Sequence, residues 1–234
     1  MAAPSESRPN ILREIYRRLY ARYGPQHWWP AQTPFEVMAG AVLTQSAAWS
    51  NVEKAIKNLE GAGKLAAAAL RQIPEKELAG LIYSCGYYNT KARKLKALAG
   101  WLGEQCGDDL DRLFTEDTAS LRHKLLGVYG VGEETSDAIL LYAGNKPVFV
   151  IDAYTRRIVE RLGLAPERRS YADYQSLFMS RLPVDSRLFN EYHALLVRLG
   201  KEVCRKQPRC ADCCLNPGGK TQSGRLPCAG LAKP

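Results

Sequence analysis

The sequence lacks several features that would define other classes of protein. It has no apolar run of about 18 residues, the length that crosses a bilayer as a helix, so no membrane span is expected. Alternating patterns typical of strands are almost absent, and no internal repeat is visible. The polar N-terminal segment MAAPSESRPN has no apolar signal region, so we expect a cytoplasmic chain without a targeting signal.

The remaining pattern is helical. Residues 10–23, NILREIYRRLYARY, place isoleucine and leucine on one face and arginine on the other. Similar spacing recurs in PFEVMAGAVL and in FNEYHALLVRLGKEVC. A chain of 234 residues allows one or two domains, and we predict an all-α fold. His193 lies in the last of these helices, and because a lone helical histidine is usually structural we assign it no chemistry.

The charge balance is basic. A formal net charge of +9 and a pI near 9.2 favour polyanionic partners such as nucleic acid. Basic residues concentrate in GYYNTKARKLK, which contains Lys91, and on a predicted helix that carries Arg156, Arg157 and Arg161.

Two glycines separate two predicted helices in the middle of the chain. The segment Gly130-Val131-Gly132 follows a helix rich in leucine, and the next helix begins near Glu133–Thr135. Glycine permits positive φ and a close approach of a ligand to the backbone. The free N–H groups of such a hairpin, beside a helix N-terminus, form a seat for a phosphate. An apolar run then ends in Asp152, which is predicted to cap a third helix.

Five of the seven cysteines lie within residues 204–228. With no export signal, metal binding is favoured over disulfides. Cys204, Cys210 and Cys213 supply three thiolates at short spacing, which suits either zinc or a four-iron cluster. The fourth ligand is either Cys214 or Cys228, and we favour Cys228 because adjacent ligands are geometrically awkward.

The hairpin Gly130-Val131-Gly132, the segment Val150-Ile151-Asp152 and the spacing between them resemble the helix-hairpin-helix and Gly/Pro-Asp signature of the endonuclease III superfamily of DNA glycosylases. The resemblance implies an all-α, two-lobed fold with a C-terminal cysteine-cluster loop. It implies a six-helix lobe over residues 27–146, and a second lobe formed by residues 1–26 and 147–234. It further implies a [4Fe-4S] cluster at the cysteines, with zinc as the alternative, and a nucleoid-associated monomer that binds damaged double-stranded DNA.

The resemblance also assigns roles to single residues. Asp152 is expected to stabilise an oxocarbenium-like sugar and to activate water. Members that also cut the strand have a lysine at the position of Glu134, and a carboxylate cannot form the required Schiff base. Gln45 is expected to fill the gap left by a flipped base, with Trp49 stacking on that base. Expected DNA contacts are Gly130, Val131, Gly132, Thr135, Lys91 and Arg156.

Within the superfamily, GVGEETSDAILLY, LTQSAAWSNVEKAI and WWP are most similar to the 3-methyladenine DNA glycosylase branch and its endonuclease III-related neighbours. Trp28, Trp29 and Trp49 are candidates for an electron-rich pocket, which favours a cationic alkylated purine. We therefore predict a monofunctional glycosylase for alkylated purines. The alternatives are a glycosylase for uracil or mismatched bases, a bifunctional glycosylase and lyase, a non-catalytic DNA-binding module, and a zinc-binding regulator.

Overall fold

A computed structural model of the chain describes residues 10–216. This range contains helices and loops and no strand, as the sequence predicts. None of its helices has the length and apolar character of a membrane-spanning segment. The α-helices in chain order are α1 Ile11–Tyr23, α2 Pro34–Leu43, α3 Trp49–Gly61, α4 Ala67–Gln72, α5 Glu75–Leu81, α6 Tyr88–Cys106, α7 Leu110–Leu113, α8 Thr118–Leu126, α9 Glu133–Ala138, α10 Ala153–Arg161, α11 Tyr171–Met179 and α12 Ser186–Glu202.

Short polar side chains fix where these helices begin. Thr33 accepts a hydrogen bond from the backbone N–H of Glu36, and Pro34 occupies the first turn of α2, where its missing N–H costs nothing. Asp117 caps α8, Asp152 caps α10 and Asp185 caps α12 in the same way. Since each cap satisfies N–H groups that the helix itself leaves unpaired, the helix boundaries are encoded locally.

The chain divides into two compact units. One unit is Trp29–Lys146, and the other combines the residues before and after it. The sequence predicts one lobe over residues 27–146 and a second lobe over residues 1–26 and 147–234. The unit Trp29–Lys146 is organised around α2, whose residues from Phe35 to Leu43 are almost all buried. In this unit α2 packs against α3, α6 and α9, and α9 continues into a π-helical turn at Ile139–Ala143.

The other unit is built on α12. This helix packs against α10 and α1, and its buried face carries Phe189 and Tyr192. Phe149 and Phe178 stack face to face with ring centroids 4.0 Å apart, and Tyr192 meets both rings edge-on. Phe149 belongs to the extended run that ends at Asp152, so these ring contacts hold that run in the core of the unit. The hydroxyl of Tyr171 accepts a hydrogen bond from the N–H of Ile151, which holds this run against α11.

Candidate glycosylase site

The glycine hairpin lies between α8 and α9 in the unit Trp29–Lys146. Gly130 has φ +83°, which only glycine adopts without strain. A Cβ added at Gly130 would lie 2.3 Å from the side chain of Lys94, so glycine is required here for space as well as for conformation. Gly132 caps α9, and a Cβ there would meet open space. Val131 is buried and anchors the loop.

Gln45 connects the α2–α3 junction to this hairpin. Its Nε2 donates to the carbonyl of Gly130 and to Oγ1 of Thr135, each at 2.9 Å. Its Oε1 accepts from Nζ of Lys94. These bonds fix the amide orientation, because the ammonium group of Lys94 can only donate and the carbonyl of Gly130 can only accept. The structure thus joins Gln45 to the hairpin, and its role as a wedge in DNA stays a prediction.

Two residues predicted to contact DNA have buried side chains. Lys91 is 2% exposed, and its ammonium group donates to the carbonyls of Leu43 and Cys85 at 2.8 Å each. It therefore caps the C-terminal end of α2, and its contact with DNA stays a prediction. Thr135 is buried and its hydroxyl accepts from Gln45, so this side chain supports the hairpin from within.

An ion pair behind the hairpin was missed in the sequence. Asp137 of α9 is completely buried, and Arg122 of α8 donates to its two carboxylate oxygens at 2.6 and 3.1 Å. The pair links the helix before the hairpin to the helix after it. Glu134, the residue at the lysine position of strand-cutting members, is exposed in the first turn of α9.

Aromatic side chains form a corner in the same unit. The rings of Trp29 and Trp49 meet edge to face with centroids 5.1 Å apart, and Tyr142 lies 5.4 Å from Trp29. Trp29 rests on Gly40 of α2, where a Cβ would lie 3.0 Å from the indole. The tryptophans line a cleft of about 200 Å³ whose polar walls include Glu36, Gln32, Glu53, Lys57 and Glu60. Trp28 belongs to the other unit, where the Nζ of Lys201 lies 5.7 Å from its ring.

Asp152 is the candidate catalytic group of the other unit. Its Oδ1 accepts the N–H of Thr155 at 2.7 Å, as a helix cap does, and its side chain is 12% exposed. The dipole of α10 favours negative charge at this position. Oδ2 lies 3.8 Å from Nε2 of His193, which is equally secluded. On the next turn, Arg156 lies over the rings of Tyr171 and Tyr174, and its predicted contact with DNA stays a prediction.

The cysteine loop follows α12. Cys204, Cys210 and Cys213 line a cavity whose other walls are mostly apolar side chains, together with Arg161 and Arg209, whereas Cys214 is absent from its lining. Burial raises the pKa of Cys213 and raises that of Cys214 to about 11, so both thiols are protonated near neutral pH. The favoured fourth ligand, Cys228, lies outside the described residues.

Two arginines of α10 hold this loop. Arg161 donates to Sγ of Cys204 at 3.3 Å and to the carbonyls of Arg205 and Lys206. Arg157 donates to the carbonyls of Cys204 and Gly200. The sequence predicted a basic strip on this helix, but these two side chains face the thiol loop, so their charge is used within the fold.

A glycine hairpin between α8 and α9, followed by an aspartate that caps α10, is the arrangement that the sequence predicts from its resemblance to the helix-hairpin-helix signature. The chain belongs to the HhH-GPD superfamily of base excision DNA repair proteins, whose family model matches residues 39–183. It is a DNA glycosylase of that superfamily, and DNA is its binding partner.

Similar proteins cover nearly the whole chain. A protein of Methanocaldococcus jannaschii with the provisional name DNA repair glycosylase MJ1434 is 42% identical over 209 residues, spanning 89% of this chain and 95% of that protein. Endonuclease III of Thermotoga maritima is 28% identical over 206 residues, covering 88% and 90% of the two chains. The structure of H. pylori 3-methyladenine DNA glycosylase bound to 1,N6-ethenoadenine matches with a TM-score of 0.73 and 28% identity, over 82% of this chain and 97% of that one.

Proposed function

We propose that this glycosylase is monofunctional and releases alkylated purines from double-stranded DNA by hydrolysis. The observation that carries the proposal is Asp152, a secluded carboxylate whose Oδ1 is fixed by the N–H of Thr155. An ionised carboxylate stabilises the positive charge that develops on the sugar as the base leaves, and it orients the attacking water.

The leaving base decides how much further help is needed. A purine alkylated at N3 or N7 is cationic, so it departs as a neutral molecule without a strong acid. The corner formed by Trp29, Trp49 and Tyr142 presents aromatic faces and edges, and Glu36 and Glu53 line the adjoining cleft. Aromatic faces and carboxylates both attract a cation, which supports an alkylated purine over a neutral base.

Water is the nucleophile in this proposal. Glu134 stands where a Schiff-base lysine would be needed, and a carboxylate cannot form an imine. The nearby Lys91 is buried against backbone carbonyls, and Lys94 is bonded to Gln45. Strand cleavage by β-elimination is therefore not expected.

We further propose that Cys204, Cys210, Cys213 and Cys228 hold a [4Fe-4S] cluster. The three described thiols line one cavity. Four thiolates suit either a four-iron cluster or a zinc ion, and the similarity to endonuclease III supports the cluster. The cluster would order the loop after α12, and no step of base release is assigned to it.

The experiment is base release from duplexes that carry one lesion each, with and without alkali. We expect 3-methyladenine and 7-methylguanine to be released, with strand breaks only after alkali. Asp152→Asn keeps the helix cap and removes the charge, so activity is lost while DNA binding is kept. Asp185→Asn, an exposed aspartate that caps α12, is the matched control and retains full activity.

Three results would contradict parts of the proposal. Strand breaks without alkali, with a covalent complex trapped by borohydride, would show a bifunctional enzyme. Release of uracil or a mismatched thymine in preference to alkylated purines would refute the substrate class. Iron absent and zinc present at one per chain would replace the cluster by zinc.

Trp29→Leu should slow release of a cationic base more than release of neutral hypoxanthine.

A further inference from the structure

His193 of α12 is buried beside the carboxylate of Asp152. Its Nε2 lies 3.8 Å from Oδ2 of Asp152, and the two side chains are 7% and 12% exposed. Oδ1 is already held by the N–H of Thr155. The Nε2 edge of the imidazole therefore faces Oδ2, the carboxylate oxygen that does not accept the bond from Thr155.

Close packing of α10 and α12 sets this spacing. Gly200 of α12 receives the ring of Tyr154 from α10, and a Cβ at Gly200 would lie 2.5 Å from that ring. Arg157 of α10 also donates to the carbonyl of Gly200. The two helices are thus fixed one to two turns from Asp152 and His193, and neither residue is on a loop that adjusts freely.

Burial also sets the charge of the imidazole. Desolvation lowers the pKa of His193 below its ordinary value of 6.5; Asp152 opposes this shift, and Lys201 adds to it. The ring is therefore neutral near pH 7. A protonated histidine at this distance would offset the negative charge that the sugar requires, whereas a neutral ring leaves that charge intact.

We propose that His193 is a positioning residue for Asp152, a neutral partner that holds the rotation of the carboxylate while Oδ2 faces the sugar and the attacking water. This rests on the proposed function of Asp152 and adds a residue to it. The imidazole neither bonds to the substrate nor exchanges a proton with it. Its contribution is to the orientation of the carboxylate.

The experiment compares His193→Phe, which fills the space without a polar atom, with His193→Gln, which keeps a neutral polar side chain at this position. Both are measured by single-turnover base release from a 3-methyladenine duplex and by affinity for the same duplex. We expect His193→Phe to slow release by about ten- to a hundredfold, as for a catalytic group displaced by about an ångström, with unchanged affinity. The Gln variant should recover most of the rate. His123→Phe, at an exposed position on α8, is the control.

A double-mutant cycle separates positioning from general damage. With Asp152→Asn in place, His193→Phe should leave the small residual rate of base release unchanged, because its effect acts through the carboxylate. Additive losses, equal losses in the Phe and Gln variants, or a Phe variant as fast as wild type would each overturn the proposal. If His193→Phe does not fold, His193→Asn and His193→Gln take its place in the same cycle.

A second readout does not depend on catalysis. The amide of Thr155 donates to Asp152, so its NMR shift reports the carboxylate orientation. We expect it to move in His193→Phe and to return in His193→Gln. If wild type released no base from any lesion, the proposed function would fail, and this shift alone would decide the positioning role. An amide shift unchanged by His193→Phe would then overturn it.

Discussion

Removing Arg122 should destabilise the glycine-hairpin unit strongly. Asp137 has no exposed surface, and Arg122 donates to both of its oxygens, so Arg122→Met leaves a buried carboxylate without its main partner. Breaking a buried ion pair from one side typically costs about 3–5 kcal/mol. The side chain of Arg122 is 26% exposed, which allows some solvent to replace it and favours the lower end of that range.

The assay is thermal unfolding followed by circular dichroism. A loss of about 3 kcal/mol corresponds to a fall in Tm of about 6–12 °C for a chain of this length. Adding Asp137→Asn to Arg122→Met should recover part of the loss, because no charge then remains buried. The control is Arg17→Met in an exposed pair with Glu14, which should leave the Tm nearly unchanged. A Tm within about 2 °C of wild type in Arg122→Met would refute the reasoning.

Three further outcomes are expected. Gly130→Ala should cost about 1–2 kcal/mol from its positive φ alone and weaken binding to undamaged duplex, measured by fluorescence anisotropy, because Lys94 must also move. Lys91→Met should lower the free energy of unfolding by about 2 kcal/mol while the salt dependence of DNA affinity stays unchanged; a log–log slope reduced by about one would show that Lys91 contacts phosphate. The depressed pKa of His193 means that the unfolded state binds its proton first, so stability should fall as pH drops below 6.5 until the folded pKa is reached. Urea titrations should show a smaller fall in His193→Gln.

Local patterns in the sequence were enough to predict the all-α fold and the hairpin between helices. Helical periodicity identifies α1 and α12, and Gly130 marks the tight turn. Asp152 was predicted to cap a helix, and it does so through Thr155. These features depend on residues within a few positions of one another, so local patterns in the sequence are enough to predict them.

Contacts between distant segments were not predictable in this way. The basic segment after Gly86 suggested lysines turned toward DNA, yet Lys91 and Lys96 donate to the carbonyl ends of other helices. The side chain of lysine is long and flexible, so its ammonium group can turn either toward solvent or toward a buried carbonyl. The position of a lysine on a helix therefore does not identify its partner. His193 is likewise 41 residues from Asp152, and nothing local in the sequence indicates their proximity.

Helix α10 has a consequence for oxidative stress. Asp152 caps its first turn, and Arg161 in its last turn donates to the thiol of Cys204, with about 14 Å of continuous helix between the ends. Oxidative loss of the cluster proposed at Cys204 would free the loop that Arg161 holds and loosen the far end of the helix that carries the carboxylate. Damage to the cysteine loop would then lower the rate of base release, while the protein would still bind its damaged DNA.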